Sequence, residues 1–433
     1  MTPNERDAGL VRTVGPWGLA ASIVNIVVGA GIFAVPAAMA ASMGPYAFIA
    51  FLVGAVAIGA VAVCFAEGGS RLPTSGGAYG YVVAAFGPLT GYIAGTMLWL
   101  SSVLACGGVA AALGDVAGSL CPPAYKSALH AVVIVGVIGG IALVNLGGVA
   151  RGVRLVTAAT VLKLIPLATF VIVGAGAVHR SNFEWTVQPG TADLGRALIL
   201  ALFAFTGMET SLCASGEVER PARTIPRALV IALATVTILY VSIQYISQGI
   251  LGPSLTHSTV PLADAMGMIS PALRLLMLVG AAASMAAWIG SDILGTPRML
   301  FAFGRDGLLP RVLGTVHAKS QTPRIAITCY ATLAIGLALT GTFAELAVLA
   351  TLGSAALYIA GCAAAWQLSR TAVAFAGAPL NFRWLGIAAA IGISSMLVLI
   401  LLASRAEMVG LLAVIGISGA VYLIQIRVGR ALA

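Results

Sequence analysis

Charge is what this chain has least of. Asp, Glu, Lys and Arg make up 9% of its 433 residues, whereas soluble domains carry about 25%. With 60% hydrophobic residues and a mean hydropathy of +1.04, a water-soluble globule is excluded. Histidine is scarce as well. His130, His179, His257 and His317 lie at the ends of apolar runs or between them, and none is paired with a cysteine or a motif serine. A membrane-embedded enzyme needs such a pairing, so no catalytic residue and no cofactor is assigned. The six cysteines (Cys64, Cys106, Cys121, Cys213, Cys329 and Cys362) show no CxxC and no metal-ligand spacing. Neither a disulfide nor a metal is expected. Residues 1–14 are polar, and the first apolar run is far longer than the apolar core of a signal peptide, so no cleavable leader is expected.

What the chain has is long apolar runs. About 20 such residues cross a hydrocarbon core of ~30 Å. Twelve candidate spans run over 17–41, 45–67, 86–113, 127–147, 154–177, 194–216, 227–250, 269–303, 323–341, 344–369, 383–403 and 406–426. The expected fold is therefore an all-α polytopic membrane protein of about 12 transmembrane helices. The eighth run is too long for a simple crossing and should tilt or continue past the membrane. With the N-terminus in the cytoplasm, 17 of the 23 basic residues fall on the inner side and 5 on the outer side. Lys163 lies within a span. This asymmetry places both termini inside the cytoplasmic membrane. It also accounts for the net charge of +9 without any nucleic acid.

Two spans are interrupted. In the first, Gly29, Ala30 and Gly31 sit mid-span and Pro36 follows. Glycine and proline weaken a helix, and in lipid a break is tolerated only where it lines a cavity or is buried in protein. Either the amides of residues 29–31 face a ligand, or the small residues permit close helix packing. In the sixth, Gly207 and the neighbouring Glu209 interrupt an apolar run that Gly216 closes. Paired interruptions five spans apart point to an inverted-repeat transporter with its substrate site at the midplane. The expected division is an N-terminal tail (1–16), a first five-helix repeat (17–177), a second (194–369), two added helices (383–426) and a C-terminal tail (427–433).

Charges at membrane depth are costly and so are candidates for function. Lys163 lies ten residues into the fifth span, where its ammonium needs carbonyls or a carboxylate. It is either a cation beside the first break, standing where a sodium ion would otherwise bind and able to exchange protons, or half of a structural pair. Glu209 is either a gating carboxylate or a cap for amides freed by the second break. Asp292, a helical turn after Trp288, either contacts a substrate amine or bonds hydroxyls in the bundle. Glu67 and Glu345, near span ends, read as solvated. Phe203, six residues before Glu209, can cover a ligand as a lid or simply pack.

These residues resemble the amino acid–polyamine–organocation transporters, which share the LeuT-like fold, a 5+5 inverted repeat with discontinuous helices 1 and 6. Residues 29–33 (Gly-Ala-Gly-Ile-Phe) look like that family's first-helix motif. Residues 203–209 with 217–226 look like its sixth helix and following loop, and 296–310 with Thr322 and Pro323 look like the segment after its eighth helix. Residues 75–79 and 86–88 fit its second-to-third-helix region. The resemblance implies that amides around Gly29, Ala30 and Gly31 bind a substrate carboxylate. Carbonyls at Val27, Phe203, Ala204 and Thr206, beside Gly207, would bind the α-amine. Phe203 matches an aromatic gate, Glu209 a gating carboxylate of the arginine/agmatine antiporter branch, and Lys163 the fifth-helix lysine of sodium-independent members. Ala30 replaces the usual serine. Asp292 falls near where that branch places a substrate-facing aromatic. The implied function is sodium-independent secondary transport of an amino acid, by proton symport or exchange. The alternatives are a polyamine or amine carrier, or an amino acid/amine antiporter, of the same fold. A channel would not need two paired breaks flanked by charge. Expected partners are the substrate, the bilayer and protons, with monomer and homodimer both open.

Overall fold

The computed structural model describes residues 15–29, 31–72, 77–146, 163–184, 189–209, 218–317, 320, 322–373 and 379–431. Helices α1 (Pro16–Val27) and α2 (Gly31–Met43) form span 1, and α3 (Phe48–Arg71) is span 2. Helices α4 (Gly77–Phe86) and α5 (Pro88–Gly118) lead into span 3, and α6 (Lys126–Leu146) is span 4. The second half of span 5 is α7 (Leu164–Gly174), and the first part of span 6 is α8 (Thr191–Phe205). Then come α9 (Pro221–Leu251) as span 7, the short α10 (Pro261–Gly267), and α11 (Pro271–Gly295) as span 8, which α12 (Pro297–Arg305) continues. Spans 9 to 12 are α13 (Arg324–Thr340), α14 (Phe343–Arg370), α15 (Leu385–Leu402) and α16 (Arg405–Ala431).

Every expected span thus has a helix. Among the described residues, eight are long and apolar enough to cross a membrane, and the bent pair α1/α2 makes a ninth. The helices at spans 5, 6 and 9 are shorter. Proline does much of the punctuation. Pro88, Pro221, Pro261, Pro271 and Pro297 each open a helix, at the one position where the missing N–H loses no bond. Pro297 is also why the long eighth run divides into α11 and α12.

The centre of the molecule is α14 against α5, with α3, α8 and α15 packed round α14. Small residues let these helices approach. A Cβ on Gly353 would stand 3.3 Å from the Met97 carbonyl. Ser101 donates to the Ala350 carbonyl at 2.7 Å and shares a 2.6 Å hydrogen bond with Ser354. Close packing and interhelical hydroxyls are the main association forces between helices in lipid. By contrast, α16 lies at the periphery with most of its surface open.

One expectation about the ends of spans needs correction. Glu67 is not solvated: it is 0% exposed and pairs at 2.8 Å with Arg71, itself 2% exposed. The chain between α14 and α15 returns to cover them. Arg71 donates to the Val373 carbonyl (3.2 Å), Ser369 Oγ (3.2 Å) and Asn381 Oδ1 (2.6 Å). Glu67 accepts the Phe382 amide at 2.9 Å, and Ser70 accepts that of Leu380 at 3.0 Å. The end of span 2 is thereby knotted to the segment that joins span 10 to span 11. Glu345 does lie at an open helix start. It caps α14 by accepting the Thr342 amide at 3.0 Å, while Thr342 Oγ1 accepts the Glu345 amide at 3.3 Å.

Candidate functional site

The two interrupted spans meet. Helix α1 ends at Val27, α2 restarts at Gly31, and the axes across the break differ by 53°. Helix α8 ends at Phe205, after which Thr206 is extended (ψ 155°) and Gly207 has φ +113°. Met208 and Glu209 return to helical geometry. Gly31 lies against the Phe203 ring, 3.4 Å from where its Cβ would be. Gly207 lies against Ile26, where a Cβ would meet Cγ2 at 2.9 Å. Each break is therefore seated in the other; at Gly207 the close approach and the positive φ demand glycine, whereas at Gly31 the approach is an ordinary van der Waals contact. Ala30 and residues 210–217, including Gly216, lie outside the described residues.

Gly207 makes a direct test. Ala there combines a contact of under 3 Å with a φ that L side chains rarely adopt, a strain on the order of 1–3 kcal/mol. Gly207→Ala should lower the thermal midpoint, and adding Ile26→Ala should restore only part of it, because the second change relieves the contact and leaves the dihedral. Full recovery would mean that the backbone angle is not what demands glycine.

A wall of other spans faces the breaks. From α11, Trp288 Cδ1 lies 2.6 Å from where a Cβ of Gly29 would be, and Ser284 Oγ donates to the Gly29 carbonyl at 3.2 Å. From α9, the Tyr240 hydroxyl donates to the Val27 carbonyl at 2.8 Å. From α14, Phe343 meets Phe203 edge-on with ring centroids 5.7 Å apart. Phe203 is 6% exposed and sits between Gly31 and Phe343, where a ring can cover the break.

The polar groups assigned from sequence divide. Lys163 is 3% exposed at the start of α7, its Nζ donating to the Asn25 carbonyl in the last turn of α1. Glu209 lies at the second break, where its Oε2 accepts the Gly207 amide at 3.1 Å and the Tyr358 hydroxyl at 2.8 Å. It both caps a freed amide and links the break to span 10. Gly29 does not present a bare amide, since its N–H donates to the Val27 carbonyl at 2.7 Å. With Tyr240, that fills both lone pairs of Val27. The Phe203 carbonyl accepts both the amide (3.2 Å) and the hydroxyl (2.7 Å) of Thr206. The breaks bond to themselves because a freed carbonyl in a dry interior must find a donor. Ala204 packs its backbone on Gly31.

Asp292 is bonded to hydroxyls of the bundle. Its carboxylate accepts from Thr296 Oγ1 at 2.9 Å and from the Tyr330 hydroxyl. These partners belong to spans 8 and 9, so it is tied into the bundle by hydroxyls.

Trp288 and Tyr358 are site neighbours that sequence reasoning did not single out as such. Trp288 carried a signal, standing a turn before an intramembrane Asp. Tyr358 carried none. Among the described residues, no group of three or more His, Cys, Asp or Glu could hold a metal ion.

Known proteins of similar sequence bear on the same architecture. Three from Bacillus subtilis (strain 168) are the branched-chain amino acid permease BcaP, the serine/threonine exchanger SteT and the methylthioribose transporter. BcaP is 28% identical over 383 residues, covering 82% of this chain and 80% of BcaP. SteT is 28% identical over 340 residues, covering 76% and 77%. The methylthioribose transporter is 27% identical over 344 residues, covering 75% and 74%. The amino acid permease family matches from residue 14 to residue 423. Facing breaks in spans 1 and 6, helices fit to cross a bilayer, and a match over nearly the whole length lead to one conclusion: the chain belongs to the amino acid permease family, as a multi-pass membrane transporter of the LeuT-like helical fold.

Proposed function

We propose that this permease is a sodium-independent secondary active transporter of amino acids that works by alternating access. The observation that carries the proposal is the contact of the two breaks, with the Lys163 ammonium bonded to the Asn25 carbonyl beside them. A lysine there supplies the fixed positive charge that a bound sodium ion would otherwise provide. The names of BcaP and SteT support amino acids as the substrate class.

The substrate carboxylate binds at the start of α2. The first amides of a helix have no acceptor within it, and the helix dipole favours an anion there. Gly31 keeps this turn free of a side chain, and Gly29 stands on the other side of the break. The α-ammonium binds carbonyls of the opposed helix ends, from the set Val27, Phe203, Ala204 and Thr206. In doing so it displaces local donors, the Gly29 amide from Val27 or the Thr206 hydroxyl from Phe203. Binding thus exchanges bonds internal to the breaks for bonds to substrate, and loosens each break from its own chain. Phe203 covers the ligand, and Glu209 with Tyr358 closes the path beyond it.

The bundle that contains spans 1 and 6 then rocks against the remaining helices, with 17–177 and 194–369 as the two repeats and 383–426 as added helices. The protein sits in the cytoplasmic membrane with both termini inside. Uptake into proteoliposomes tests this. An amino acid should accumulate under an inward proton gradient, or exchange against internal amino acid, with sodium replaced by choline. Strict dependence on sodium would refute the proposal.

A further inference from the structure

One face of α9 runs along both halves of the broken span 1. Tyr240, Gln244 and Gln248 are spaced four residues apart, so they share a face and step about 6 Å along the axis each time. Each donates from its side chain to a main-chain carbonyl. Tyr240 reaches Val27 at the end of α1 (2.8 Å), and Gln244 reaches Pro36 within α2 (3.2 Å). Gln248 reaches Asn182 in the turn before span 6 (2.9 Å). Those carbonyls can only accept, which fixes both amide groups with nitrogen toward them and oxygen away.

The oxygens facing away have no partner among the described residues. Gln244 Oε1, Ser247 Oγ and Gln248 Oε1 are all buried and unbonded. Their residues are 1%, 0% and 3% exposed. Buried polar atoms in native proteins are nearly always bonded to protein or to ordered water, and three within five residues of one helix, Gln244 and, a turn on, Ser247 and Gln248, call for hydrogen-bond donors. None of the three side chains is a carboxylate, so they offer a buried cation no counter-charge, whereas water needs none. Pro36 adds to the need, because its missing N–H leaves the Ile32 carbonyl of α2 without its helical donor.

We propose that Gln244, Ser247 and Gln248 bind a small cluster of ordered water against the outer half of span 1. The cluster forms a hydrated seam on which α2 tilts, since bonds to water rearrange more readily than bonds to fixed side chains. This site is separate from the substrate breaks and does not depend on which substrate is carried.

Hydroxyl-radical footprinting by X-ray radiolysis, on the full chain in nanodiscs, tests the proposal. Radicals form from water already beside a side chain, so burial from bulk solvent does not protect it. Tyr240 is 0% exposed and lies one turn from Gln244. It should be oxidised in the native protein, and at least threefold more slowly in Ser247→Ala/Gln248→Leu, which keeps the Gln244 bond to Pro36. A native Tyr240 that is not oxidised, or a rate the double variant does not change, overturns the proposal. Ser247→Ala alone gives a second measurement should the double variant fold poorly. With water bound, it lowers the thermal midpoint or leaves it unchanged. A raised midpoint means a dry, unbonded hydroxyl has been removed, and overturns the proposal.

Discussion

Arg71→Ala is expected to cost the folded state about 3–5 kcal/mol, the range for breaking a buried ion pair from one side. The alanine leaves Glu67, 0% exposed, charged and without its guanidinium. It also removes three bonds that fasten Val373, Ser369 and Asn381 to span 2. A buried pair is poor evidence of net stability, because taking both charges out of water offsets much of their attraction. The informative experiment is therefore a double-mutant cycle read by thermal unfolding in detergent. Arg71→Met and Glu67→Met should each lower the midpoint by far more than half of what the double variant does. Equal, additive losses would show that the two side chains act separately and that the knot between span 2 and the span 10–11 connection is not a unit.

Lys163→Ala is expected to have the largest effect on transport. Its ammonium makes a charge-assisted bond to the Asn25 carbonyl, immediately before the first break. Bonds of that kind are worth about 1.5–3 kcal/mol, so losing one should slow sodium-free uptake roughly ten- to a hundredfold. The residual uptake should no longer respond to an imposed proton gradient. Lys163→Arg keeps the positive charge but holds its proton at all working pH. It separates two roles: recovery of uptake without recovery of the proton response assigns Lys163 to coupling, and recovery of both leaves it as a fixed charge. An alanine variant with native uptake and native pH response would remove Lys163 from the mechanism.

The parts of this molecule legible in sequence are those written in short-range chemistry. The two breaks were visible because glycine interrupts an otherwise apolar run, at Gly29 and Gly31 and again at Gly207. The twelve spans were visible from apolar length alone, and Lys163 from its depth within one of them. What depends on a distant return of the chain was not visible. Glu67 reads as solvated from its place near a span end. Glu67 and its partner Arg71 are bonded by Ser369, Val373, Asn381 and Phe382, some 300 positions later. Tyr358 looks like any aromatic in a membrane helix until its hydroxyl is seen on Glu209. The carbonyls of Val27 and Phe203 were expected to be free for an amine, but their own neighbours reach them first, since a break that bonds to itself avoids leaving polar groups dry. Asp292 was open between two readings. The Thr296 hydroxyl four residues on and the Tyr330 hydroxyl from span 9 bond it, and the second is a contact that no local spacing announces.

The central claim is that main-chain groups of the facing breaks recognise a zwitterionic amino-acid head. The most direct measurement is a thermal-stability screen of the purified protein against neutral, acidic and basic amino acids, each beside its decarboxylated amine. A ligand that binds the folded state raises its midpoint by mass action. One or more amino acids should raise the midpoint while the matching amines do not, because only the former carry the carboxylate proposed to bind at the start of α2. Stabilisation by the amines alone would contradict it.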